Sequence, residues 1–190
     1  MRPILALALL SLAACAGEGG ESRAVAPVAV VSGPALLAQR LPSQAASFQR
    51  GATAPIQRPA PGVEVAYATQ GRTAAGYVQV MSAEGAMPDG VTAAAVQADF
   101  QRWVAETTRG ASASRRLRVI GESNQPTSGS LFRCAEMEGT YGRQPVHGMI
   151  CVGAAGGQLL RIRVFMPRRD PPSADPRAFI RDITTALRAS

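Results

Sequence analysis

The chain contains no lysine: all 20 of its basic residues are arginine. With abundant alanine, glycine and proline, this reads as the codon bias of a GC-rich genome, so arginine alone does not argue for phosphate recognition. Aromatic residues are 5% of the 190 positions. That scarcity excludes the stacking platform on which single-strand nucleic-acid binders rely. His147 is the one histidine, and there are three cysteines. If two of those cysteines are bridged, too few donors remain for a zinc site. No Gly-x-Ser-x-Gly element is present, and no histidine–carboxylate set accompanies a serine. The apolar run from Ile4 to Leu12 is shorter than the ~20 residues a spanning helix needs.

What is there begins at the N-terminus. Arg2 supplies a positive charge, Ile4 to Leu12 an apolar stretch, and Ala13-Ala14 small residues directly before Cys15. This is the layout of a secretory signal peptide with a cysteine at the cleavage point. The stretch Leu12-Ala13-Ala14-Cys15 resembles the lipobox of bacterial lipoproteins. The resemblance implies a signal peptide over residues 1–14, cleavage before Cys15, diacylglycerol on its thiol and usually an acyl chain such as palmitate on the new amino terminus. Each buried methylene of such chains contributes about 0.8 kcal/mol, so two or three chains anchor firmly. No other cofactor is called for. Ala16 follows the cysteine, which in that family favours the outer membrane, facing the periplasm. The competing reading, a secretory peptide cut after Ala14, leaves a free thiol in an oxidising compartment. The formal charge of +7 would suit anionic lipid head groups or acidic glycans. A soluble surface drawn from an arginine-only proteome is the plainer account, and nucleic acid is not an expected partner.

Residues 15–61 read as the lipidated cysteine and a tether. Gly17 to Ser22 is small and polar, and Pro27, Pro34, Pro42, Pro55, Pro59 and Pro61 recur too often for regular structure. The apolar stretch from Val28 to Leu41 allows a short strand or helix, docked on the domain or on a partner. The folded domain is expected over residues 62–190. Val63–Thr69 alternates and reads as a strand, with Ala75–Ser82 as its hairpin partner. Thr92 offers an N-cap for a helix to about Thr108. Val96, Phe100, Trp103 and Val104 fall at helical spacing and should face a core, with Trp103 a packing residue. Gly110 ends that helix and Ser112–Ser114 form a loop. Arg116–Ile120 reads as a strand, and Gly121–Gly129 as a polar turn region.

The next hairpin has a register that can be argued. A two-residue turn at Gly142-Arg143 puts glycine at the first central position, as a type II′ turn prefers. Tyr141 then faces Gln144, and counting outward sets Cys134 directly opposite Cys151. Facing Cβ atoms are what a cross-strand disulfide requires. The closed loop is short, so chain entropy suggests roughly 3 kcal/mol of stabilisation. In this register Ala135, Met137, Val146, Ile150 and Val152 share one face and look inward. Glu136, Glu138, His147 and Met149 share the other with the disulfide. A glycine-rich turn over Gly153–Gly157 leads to a strand from Leu159 to Met166. Pairing Ile150 with Leu160 keeps apolar residues together and turns Arg161 and Arg163 outward. Two cross-strand rows follow, Glu136–Met149–Arg161 and Glu138–His147–Arg163.

Asp175 is a good N-cap, Pro176 occupies the first helical position, and Phe179, Ile180, Ile183 and Leu187 make one apolar face of a final helix. The expected architecture is α+β: an antiparallel sheet of about five to six strands with two helices on one face. That element order resembles the Mog1/PsbP-like α+β domains, a plan shared by small bacterial envelope lipoproteins. The resemblance covers roughly Gly62 to Ala189 and carries no functional residue with it. The His147, Glu138 and Arg163 row reads as an ion-pair face rather than a proton-transfer site, which would need a pocket. Gly153–Gly157 joins two strands without a helix N-terminus to receive an anion. The functional expectation is a non-enzymatic, lipid-anchored envelope protein binding a partner or the cell wall. Glu136, Glu138, His147, Arg161 and Arg163 are its candidate interaction face. The alternative is a carrier for an apolar or anionic small molecule held between sheet and helices.

Overall fold

The computed structural model describes residues 33–109 and 115–189. The expected signal peptide, the expected lipidation site Cys15, the expected tether up to residue 32, Gly110 and the loop expected at Ser112–Ser114 lie outside the described residues. Regular structure starts ahead of the expected boundary at Gly62. α1 (Gly33–Gln39), β1 (Gln44–Ala45) and β2 (Phe48–Ile56) precede it, and Leu37, Leu41, Ala45 and Phe48 are buried in the core. Residues 33–61 are therefore domain, not leash. The prolines there punctuate structure instead of preventing it. Pro34 sits in the first turn of α1, where its missing N–H leaves no bond unmade. The Pro42 carbonyl accepts the Tyr67 hydroxyl at 2.8 Å. Pro55 lies on β2 beyond the short span that pairs with β1, on an open strand edge that needs no donor.

β3 (Gly62–Thr69) and β4 (Ala75–Ser82) pair as the alternation predicts. α2 (Ala94–Thr108) starts two residues past Thr92. Its N-cap position is Ala93, without a side-chain cap, and Gln97 Nε2 reaches back to the Val91 carbonyl at 2.5 Å. β5 (Arg115–Gln125) takes in Gly121 to Gln125, which were expected in a turn. β6 (Phe132–Tyr141), β7 (Gln144–Ala155) and β8 (Gln158–Pro167) follow, then α3 (Pro176–Arg188). The Asp175 carboxylate accepts the Arg177 N–H at 2.8 Å, capping α3 as predicted.

This is an α+β fold around one antiparallel sheet of eight strands, not five to six, in the order β1-β2-β3-β4-β8-β7-β6-β5. The extra pair is β1 and β2, from the stretch read as tether. Helices cover both faces rather than one. Phe100 and Val96 of α2 pack with Ala135, Met137, Ile150 and Val152. On the opposite face, Leu37 of α1 and Phe179, Ile180, Ile183 and Leu187 of α3 pack with Cys134, Cys151, Ile162 and Val164.

The β6–β7 register is the expected one: Tyr141 faces Gln144, and Cys134 faces Cys151. The β7–β8 register is not. Ile150 faces Arg163, and Leu160 faces Gly153. The turn lies at Gly156-Gly157, both with positive φ (56° and 72°), as a two-residue type I′ turn demands. β7 thus runs through Gly153 to Ala155. Gly153 is a strand glycine: a Cβ there would meet the Leu131 carbonyl and come within 2.8 Å of the Phe132 ring. Moving the turn along shifts the pairing by an odd number of residues, and an odd shift exchanges the faces of the whole strand. Leu160, Ile162, Val164 and Met166 accordingly lie on the disulfide face, and Arg161 and Arg163 on the α2 face.

Candidate functional site

The register divides the expected interaction face. Glu136, Glu138 and His147 remain together on the disulfide side, in the rows Glu136–Met149–Val164 and Glu138–His147–Met166. The carboxylates there are engaged by guanidinium groups. Glu136 accepts from Arg177 of α3, and Glu138 pairs with Arg118 and, at 3.7 Å, with Arg168. The hydrogen bond that Arg177 donates to Glu136 holds the Arg177 pKa above its ordinary value. Burial first, and the nearby Arg168 charge second, lower the His147 pKa. A small hollow of about 190 Å³ opens beside His147, Asp175 and Arg177. Of these ion pairs, Glu136–Arg177 joins α3 to the sheet, and Glu138 is held by β5 and by the segment just after β8. Among the described residues, no three of His, Cys, Asp and Glu gather closely enough to hold a metal ion.

The disulfide side is otherwise dry. The Cys134 and Cys151 sulfurs lie 2.12 Å apart, with both residues fully buried. Met149, placed outward from the sequence together with the disulfide, is likewise in this core. The reason is the same for both: α1 and α3 cover the face that the expected two-layer plan left open.

Arg161 and Arg163 meet different surroundings. Arg161 is only 4% exposed. Its Nε and Nη2 donate to the two carboxylate oxygens of Asp99 on α2, at 2.8 and 2.7 Å, and its guanidinium lies 5.0 Å from the Trp103 ring centre. This two-pronged geometry suits the planar fork of arginine and fixes α2 against β8. Arg161 therefore cannot serve a surface partner. Arg163 is half exposed. Its Cζ stacks 4.2 Å above the Tyr77 ring, and its Nη2 lies 3.4 Å from Glu64 Oε2. Gln79 Nε2 donates to the same Glu64 oxygen at 2.8 Å.

Beside this layer a cleft of about 240 Å³ opens between the second half of α2 and the sheet. Tyr77 and Arg163 form one wall; Trp103 and Thr107 of α2 form another; Ile150 and Ala75 lie on the sheet. Arg115 of β5 and Tyr141 of β6 close the far end, the guanidinium 5.7 Å from the ring centre. Phe165 meets Tyr141 edge to face at 6.2 Å. It reaches that position by lying across Gly148, where a Cβ would come within 2.7 Å of its ring. The cleft therefore combines flat aromatic surfaces with two guanidinium groups, a lining suited to holding a small group by stacking and charge. A wider depression of about 580 Å³ near the end of α3 differs in kind. Its polar groups close loops: Arg188 donates to the Gly129 carbonyl, and Asp89 accepts the Gly156 N–H at 2.8 Å.

Sequence reasoning placed Trp103 on an apolar stripe and missed its second role in the cleft. Asp99 carried a usable signal. It sits three residues after Val96 and four before Trp103, on the core-facing side of α2, where a carboxylate demands a buried cation. Tyr77, Arg115 and Tyr141 converge from strands distant in the chain, and no local pattern marks them.

No protein-family model and no curated protein matches this chain. The solved structure of cyanobacterial PsbP (CyanoP) from Synechocystis sp. PCC 6803 is similar at 16% identity, covering 66% of this chain and 83% of that one, with a TM-score of 0.44.

Proposed function

We propose that this chain is a lipid-anchored protein of a bacterial envelope whose domain binds rather than catalyses, holding a small molecule in the cleft between α2 and the sheet. The cleft carries the reading: it is the place where aromatic surface and cationic groups converge around an open volume. The envelope location draws support from the lipobox-like Leu12-Ala13-Ala14-Cys15 and from the buried Cys134–Cys151 bridge, which belongs to an oxidising compartment. Of the two functional expectations, the carrier gains on the accessory subunit, because the shared face that was to capture a partner is divided between the two sides of the sheet.

The test is extraction from the native envelope in mild detergent, with and without prior crosslinking, followed by mass spectrometry of what the protein retains. A retained small molecule that is lost from a Tyr77→Ala variant supports the carrier. One dominant crosslinked protein, unchanged in that variant and without a small ligand, would replace the carrier with an accessory subunit.

A further inference from the structure

We infer that the α2-side cleft takes an aromatic or similarly planar ring bearing one anionic group, with Arg115 receiving the anion; this rests on the binding role proposed above. The two guanidinium groups of the cleft are not equivalent. Arg163 is committed: Glu64 lies 3.4 Å from its Nη2, and its plane stacks on Tyr77 at 4.2 Å. It acts as a neutralised wall. Arg115 lines the cleft and has no carboxylate partner among the described residues. A guanidinium without a counter-ion at the end of an aromatic cleft suits an anionic group, which it can meet with its planar fork. Its Cζ stands 5.7 Å from the Tyr141 ring centre, so an anion that pairs with it enters alongside an aromatic face.

Volume sets the rest of the ligand. A cavity of about 150 Å³ suffices for benzene, so about 240 Å³ admits one ring and one small charged substituent. Trp103, Tyr141 and Phe165 provide ring surfaces, and Ile150 an apolar floor. A neutral ring would leave the Arg115 charge without a counter-ion. A bare inorganic anion would leave the aromatic walls uncovered. A single-ring carboxylate or phosphate ester satisfies both.

Trp103 is the sole tryptophan and lines the cleft, so its fluorescence reports occupancy directly. Benzoate and phenyl phosphate, added to the full chain, should quench or shift it saturably. Benzyl alcohol and inorganic phosphate should bind at least about tenfold more weakly, the loss expected for one charge-assisted hydrogen bond or for the ring contact. Arg115→Gln should weaken benzoate by a similar factor, and Arg163→Gln by much less. Arg115→Lys, keeping the charge but not the fork, should fall between wild type and Arg115→Gln and guards against a merely structural loss. Equal binding of benzoate and benzyl alcohol, or an Arg163→Gln loss matching that of Arg115→Gln, overturns the assignment. If the ring anions produce no response while the native-envelope ligand is still retained, the ligand class is wrong and the binding role stands. If neither binds, both fall.

Discussion

The two faces of the central sheet are held by different physics. Under α1 and α3 the contact is a dry layer of aliphatic chains, the disulfide and the Phe48–Phe179–Tyr67 ring cluster, with centroids 4.8 and 5.2 Å apart. Under α2 the apolar layer ends in a buried ion pair, Asp99–Arg161, and beyond that in an open cleft. A face whose interior is closed by shape, with ion pairs such as Glu136–Arg177 at its rim, tolerates little space and needs little direction. A face that keeps a cleft open needs its covering helix held at one angle, and a two-pronged ion pair supplies direction that alkyl packing does not. Under the proposed function, ligand binding belongs to the α2 side of these strands, while both sides contribute to stability.

The comparison can be broken most sharply at Asp99. Asp99→Ala leaves the Arg161 charge buried without a partner and should destabilise by about 3–5 kcal/mol, read as a fall in the denaturation midpoint. Replacing both partners with apolar residues, Asp99→Leu with Arg161→Met, should recover most of that stability. A double variant no more stable than Asp99→Ala would show that packing, not charge, holds α2. On the opposite face Phe179→Ala should cost a comparable 3–5 kcal/mol or so, through lost contact and an unfilled cavity. Here a larger residue opposite, Gly76→Ala, should return little. One methyl fills little of the space a phenyl ring leaves, although in the wild type the same methyl would crowd that ring, 3.2 Å away.

Removing the bridge with Cys134→Ala and Cys151→Ala should lower stability by about 3 kcal/mol, the loop entropy of its short separation. Because the bridge sits away from the cleft, ligand-induced changes in Trp103 fluorescence should survive in the folded double variant. The smallest effect at neutral pH is that of Tyr67. Burial outweighs the opposing pull of Arg50 and pushes its pKa from 10 to about 12. The folded state keeps the phenol protonated while the unfolded chain ionises, so stability present below pH 10 is lost as pH rises toward about 12. Tyr67→Phe should lose less stability than wild type over that interval. An equal loss would place the alkaline sensitivity elsewhere.

How far the fold could be read from the chain varied with the distance over which each signal acts. α3 was legible from its N-cap onward, because Asp175, Pro176 and the apolar spacing of Phe179, Ile180, Ile183 and Leu187 are all local signals. The β6–β7 register was legible because a turn and a cysteine pair agree on it. The β7–β8 register failed because three glycines, Gly153, Gly156 and Gly157, serve different ends. Two supply the positive φ of the turn, and one makes room for a neighbouring strand. Composition alone does not separate those uses. The same holds for Pro34, Pro42 and Pro55, which read as a leash until the α1 packing and open β2 edge are known. The cleft was illegible, since Tyr77, Trp103, Arg115 and Tyr141 meet only after the sheet has closed.

That closure has a single seam. The chain leaves β4, crosses the sheet with α2, lays down β5, β6 and β7 as successive neighbours, and returns to β4 only through β8. Ala75 pairs with Phe165 and Ser82 with Gln158 across nearly half the chain. Such remote pairing is slow to find, because its loop-closure entropy is incurred before any contact repays it. Both residues of the Tyr77–Arg163 wall lie on this seam, directly opposite one another. An occupant of the cleft would therefore act as a latch on this long-range joint, slowing its reopening.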